Sequence, residues 1–94
     1  MIFLFYTLVF ITSTSAQITV SGLVKDSLSG ERLIGVHVID LKDKGGVVSD
    51  VNGYYNIKTI APVCLMFSYI GYDSVVLNLK TLTDTIIMVN LSAG

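Results

Sequence analysis

Apolar residues in this chain recur at every second position, in short runs broken by turn residues, and that alternation limits what it can fold into. A period of two belongs to a strand with one buried face, whereas an amphipathic helix repeats every 3.6 residues. Ile18-Thr19-Val20-Ser21-Gly22-Leu23-Val24 alternates up to Lys25-Asp26, and Ser27-Leu28-Ser29-Gly30-Glu31 supplies turn chemistry. Leu33 to Leu41 places Val36 and Val38 on one face, His37 and Ile39 on the other, and closes at the lysine-bearing turn Lys42 to Gly46. Val47-Val48-Ser49 leads into Asp50-Val51-Asn52-Gly53 and Tyr54-Tyr55-Asn56-Ile57 leads out, the strongest hairpin signal here, because Asn-Gly tolerates the positive φ of a tight turn. Ala61-Pro62 punctuates. Cys64 to Tyr69 reads as an almost unbroken apolar strand, Gly71-Tyr72-Asp73 bends it, Ser74 to Leu79 forms another, and Thr85 to Leu91 the last. About seven short strands at this spacing fit an antiparallel β-sandwich.

Two sheets need inner faces, for which the pattern selects Val20, Val24, Val36, Val38, Ile57, Leu65, Phe67, Val76, Ile87, Val89 and Leu91. Val63 to Phe67 is apolar on both faces, so it is expected to be a central strand or one whose outer face another body covers.

The first charged side chain is Lys25, which sets the start of the chain apart. Ile2 to Ile11 is apolar, and Thr12-Ser13-Thr14-Ser15-Ala16 offers the small residues a signal peptidase requires. A membrane span needs about twenty apolar residues, roughly twice this run. Residues 1–16 therefore read as a secretory signal peptide cleaved after Ala16, although its n-region lacks Lys and Arg, and residues 17–94 as one domain. With no Cys at the cleavage point, a lipid anchor is not expected. Six basic against seven acidic residues, a net charge of −1, form no basic stripe, which argues against nucleic acid as partner.

Four segments in order carry a resemblance: Val20-Ser21-Gly22-Leu23-Val24-Lys25-Asp26, Leu33-Ile34-Gly35-Val36-His37-Val38, Ser49-Asp50-Val51-Asn52-Gly53-Tyr54-Tyr55, and Leu65-Met66-Phe67-Ser68-Tyr69-Ile70-Gly71-Tyr72. Together they resemble the carboxypeptidase-D regulatory-like domain over about residues 18–91. The resemblance implies a prealbumin-like (transthyretin-like) Greek-key sandwich with no catalytic residues. The ending Phe67-Ser68-Tyr69-Ile70-Gly71-Tyr72 is similar to that of the N-terminal extension of TonB-dependent outer-membrane receptors in Bacteroidetes-type bacteria. Arg32 stands where Pro is usual, and Cys64 where a plain aliphatic or polar residue is commoner.

Candidate chemistry is sparse. Ser49, Asp50 and Asn52 offer too few oxygens for calcium, which takes six to eight, so a turn with Asp50 accepting backbone hydrogen bonds is preferred. His37 and Cys64 are each the only residue of their type, too few for the usual zinc set. A Cys–His nucleophilic pair would need both on converging loops, yet both fall within expected strands, His37 half-exposed and Cys64 as a small hydrophobe still able to form an intermolecular disulfide. Tyr54, Tyr55, Tyr69 and Tyr72 could form a carbohydrate or peptide platform, but adjacent strand residues face opposite ways, which favours core and edge packing. Gly22 and Gly35 are expected where a side chain would collide with a crossing strand or twist the ladder, Gly53 at a positive-φ turn and Gly71 at a bulge or bend that re-aims Tyr72. Asn90-Leu91-Ser92 is a glycosylation sequon, which in the bacterium that the resemblance implies would usually carry no sugar.

The expected function is a non-catalytic accessory or interaction module. It has no catalytic, cofactor-binding or metal residues, no cofactor and no identifiable small-molecule substrate. The resemblance implies the truncated N-terminal part of a TonB-dependent receptor at the periplasmic face of the outer membrane, touching that receptor's plug and barrel. The alternative is a free-standing secreted domain that docks on another envelope protein by strand addition.

Overall fold

The computed structural model describes residues 17–80 and 85–94; the expected signal peptide lies outside them. Every element among the described residues is a strand: β1 (Gln17–Asp26), β2 (His37–Asp40), β3 (Gly46–Val48), β4 (Tyr54–Ile60), β5 (Val63–Ser68), β6 (Val75–Leu79), β7 (Thr85–Ile86) and β8 (Val89–Leu91). They form two sheets. In the first, β1 lies between β4 on one side and β7 with β8 on the other; in the second the order is β3-β2-β5-β6. The β-sandwich expected from the alternation is therefore present, with β5 central in its sheet as its apolar character requires.

Antiparallel pairing joins β1 to β4, β2 to β3, β2 to β5 and β5 to β6. The last segment departs from expectation. Instead of one strand over 85–91 it forms two pieces that run parallel to β1, with Val20 opposite Thr85 and Val24 opposite Val89. Between the pieces, the Ile87 N–H donates to the Ser21 carbonyl.

The Asn52-Gly53 reversal is also a correction. Its local chemistry is as expected: Asp50 Oδ1 accepts from the Asn52 and Tyr54 N–H groups, and Gly53 has φ +77°. Yet the flanking strands do not pair as a hairpin, because β3 belongs to the second sheet and β4 to the first. Long-range bonds decide this, with Ser49 tied to Val36 and Gly35, and the Gly53 carbonyl to the Val24 N–H.

The core is continuous across both sheets. Val20, Val24, Val36, Val38, Ile57, Leu65, Phe67, Val89 and Leu91 are buried as expected, and Ile87 packs partly buried against them. Val76 is the exception, half-exposed on the outer face, because in edge strand β6 it is Val75, Leu77 and Leu79 that take the inward parity. Ile18, Leu33, Tyr55 and Val63 complete the core. Tyr55 and Phe67 meet edge to face at 5.1 Å, joining the sheets. At Gly22 a Cβ would land on the Ile87 carbonyl, a collision with the segment that flanks β1 in its own sheet and not with a crossing strand. Gly35 faces no crossing strand either: a Cβ there would meet only Tyr69 at ordinary contact distance, and it is the backbone, at φ +86°, that calls for glycine.

Candidate functional site

Strand directions give the sandwich two dissimilar ends. At the Gln17 end, where β1 starts and β2 and β4 finish, a cleft of about 290 Å³ is lined by Asp40, Lys42, Asp43, Lys58 and Thr59, among others. Asp40 is buried, with the same inward parity as Val36 and Val38. Its Oδ2 accepts from Thr59 Oγ1 at 2.6 Å, a bond between the two sheets, and its Oδ1 accepts from the Lys42 N–H at 2.9 Å. The Lys42 ammonium donates to the Ile60 carbonyl. Burial alone would raise the Asp40 pKa, but the Thr59 and Lys42 hydrogen bonds together with the Lys42 charge hold it below the ordinary carboxylate value. These contacts make Asp40 an inter-sheet tie, not an acid or base poised for a substrate.

The opposite end collects the loops 27–36, 49–53 and 69–74 with the tail 92–94. Asp26 Oδ1 accepts from the Leu28 and Ser29 N–H groups, and Oδ2 from Tyr72 Oη at 2.6 Å. The Tyr72 hydroxyl, followed by those backbone donors, lowers the Asp26 pKa; the same bond raises that of Tyr72. Gly71 bends the chain as expected, at φ +85°, and Tyr72 stacks on Tyr69 with centroids 5.6 Å apart.

The other residues singled out in the sequence are dispersed. Ser49 is buried, accepting from the Val36 N–H and donating to the Leu33 carbonyl, so its hydroxyl is committed to the fold. His37 lies opposite Ser68 on β5, four residues from Cys64, or about 13 Å along the strand. Cys64 is half-buried opposite Asn78, and the two do not form a nucleophilic pair. The tyrosines form no common platform: Tyr54 is outside and Tyr55 inside, where its hydroxyl donates to the Ile87 carbonyl at 2.7 Å. Burial pushes the Tyr55 pKa up to about 12. No group of three His, Cys, Asp or Glu able to hold a metal ion occurs among the described residues. The ties of Asp40 and Asp26 were missed in sequence; parity exposes the first, whereas the second spans 46 residues and leaves no local signal.

A family model described as the CarboxypepD_reg-like domain matches residues 20–93. The chain belongs to this family. The motif resemblance is thus confirmed at the level of the domain. No curated protein matches the chain. Among solved structures, a chain of a type II cohesin–X-dockerin complex from Acetivibrio cellulolyticus superposes with a TM-score of 0.67 at 20% identity, over 82% of this chain and 58% of that one. A 3-chlorocatechol 1,2-dioxygenase from Rhodococcus opacus gives 0.65 at 12% identity, over 86% of this chain and 62% of that one. The C-terminal domain of the shaft pilin from Lactobacillus rhamnosus GG gives 0.53 at 13% identity, over 85% of this chain and all of that domain. At such identities the likeness is one of fold.

Proposed function

We propose that this regulatory-like domain is a non-catalytic interaction module of the bacterial envelope, serving as the N-terminal extension of a TonB-dependent nutrient receptor. In this reading residues 1–16 direct export and residues 17–94 work at the periplasmic face of the outer membrane. The observation that carries it is the family match over residues 20–93, supported by the receptor-like motif Phe67 to Tyr72. The buried polar side chains Asp40, Ser49 and Thr59 each hold the fold together, which agrees with a role in contact and not in chemistry.

Expression of the full chain in a bacterium with an outer membrane, followed by fractionation and N-terminal sequencing, tests the reading. Recovery in the envelope with Gln17 first, and peptidase activity at background, is the expected result. Retention of the uncleaved chain in the cytoplasm, or turnover of peptides, would overturn it. The DNA downstream of the Gly94 codon separates the receptor reading, which requires plug-like or frameshifted sequence there, from a free-standing binder followed by a stop codon. The second reading has its own support in β6, an uncharged strand paired only with β5 among the described residues and so open to strand addition.

A further inference from the structure

We propose that the loop end of the sandwich, not a sheet edge, is the docking surface, and that its partner is a protein segment presenting apolar side chains flanked by Lys or Arg. This rests on the interaction-module reading and names its surface.

Turn positions favour small polar residues, Gly and Pro. Three turns at this end instead carry large apolar side chains: Leu28 is 92% exposed, Val51 75% and Ile70 91%, with Ile34 beside them at 52%. Single exposed apolar residues are ordinary, but several gathered at one end mark an interaction site. Contacts between the loops gather them: Asp26 bonds Tyr72, Gly35 bonds Ser49, and Ser27 bonds Ser92. A Cβ at Gly53 would lie 2.9 Å from Arg32 Cβ, so the Val51 turn abuts the Arg32–Ile34 segment.

The tips are held in place. Asp26 fixes the Leu28 turn through two backbone N–H groups, and Asp50 does the same for the Val51 turn. The Ile70 turn is closed by the Tyr72 N–H on the Tyr69 carbonyl and anchored by the Tyr72 hydroxyl on Asp26. An apolar surface ordered in advance loses little entropy on binding.

Charge selects the partner. Asp26, Glu31, Asp50 and Asp73 surround the tips against Lys25 and Arg32, whereas Lys42, Lys44, Lys58 and Lys80 gather at the Gln17 end against Asp40 and Asp43. The acidic excess around the tips complements a basic rim and is repelled by an anionic lipid surface.

The test places a benzophenone photocrosslinker in the exported chain at Leu28 or Val51 on the tips, and at Val76 or Asn56 on the outer sheet faces, in cells of the source bacterium. Adducts from positions 28 and 51 but not 76 and 56, mapping to a protein segment with Lys or Arg beside the linked residue, are expected. With the crosslinker at Val51, Leu28→Ser combined with Ile70→Ser should reduce the adduct about tenfold, since a few central apolar residues dominate such interfaces. Glu31→Lys should reduce it several-fold. Adducts only from 76 or 56 would overturn the surface and leave the module reading standing. Adducts to lipid, to a second copy of the chain or to a segment without basic residues would overturn the partner chemistry. No adduct from any of the four positions would overturn the proposal and the module reading together.

Discussion

The two sheets reach closure by different routes. The second is built from neighbours in sequence, β2 with β3 and β5 with β6, and one further pairing of β2 with β5 completes it. The first has no sequential pair at its centre: β1 waits for β4, and then for β7 and β8, more than sixty residues later. Its outer flank is also short, three residues in β8 and two in β7, and it threads past Gly22 so closely that the Ile87 backbone occupies the place of a side chain. The first sheet is thus closed by backbone fit, whereas the second is closed by local hairpins, and substitutions should separate them.

Gly22→Ala tests the first route most severely. The added Cβ must displace the Ile87 backbone, and a cost of about 3 kcal/mol or more is expected for such a steric conflict, read from the urea midpoint. Amides of 86–91 should lose exchange protection before those of β5 and β6 do. An unchanged midpoint would show that the flank does not depend on this fit.

Asp40→Ala probes the tie between the sheets. It leaves Thr59 Oγ1 and the Lys42 N–H without their acceptor, at about 2 kcal/mol. Because the folded-state pKa lies below the ordinary value of 3.8, the carboxylate's contribution is present above that value and is lost as pH falls through the folded pKa. Acid titration should therefore narrow the gap between Asp40→Ala and the parent progressively below about pH 3.8, until the pH lies below the folded pKa. A gap that persists there would assign the effect to packing.

Tyr55→Phe keeps the contact with Phe67 and removes only the hydroxyl on the Ile87 carbonyl, at about 1 kcal/mol. A phenol raised from 10.0 to about 12 favours the folded state fully below pH 10 and loses that advantage as pH rises through 12. The parent should accordingly lose stability faster than Tyr55→Phe across that interval, measured by denaturant unfolding at alkaline pH. Equal slopes would mean that the hydroxyl already meets water.

Val76→Thr is the smallest of the four. The side chain stands half-exposed on the outer face of β6, so a change within about 0.5 kcal/mol is expected. A loss above about 1 kcal/mol, growing with protein concentration, would reveal a body covering that sheet.

Legibility followed the same division. Burial of Val36, Val38, Leu65 and Phe67 could be read from parity within single strands, and so could the outward place of His37. Val76 was misread because Val75 and Val76 are equally apolar; Asn78, which shares the outward parity of Val76, distinguishes them. The Asp50 turn was legible in its own bonds and not in its strand partners, because a turn fixes a reversal over four residues while pairing is decided by distant strands. Leu28 and Val51 read merely as turn residues and Ile70 as part of a motif, since nothing local shows that three separate turns lie at one end.

Alternation and turn chemistry act over a few residues, so the short strands, the buried faces of all but β6, the turns that interrupt them and the domain family are written in the chain locally. The parting of β3 and β4 into different sheets, the parallel run of the last segment along β1, the Asp40–Thr59 tie between the sheets and the shared end of the apolar turns arise in three dimensions alone. Each of these is a contact between residues far apart in the chain, whose gain exists only once the intervening loops have closed.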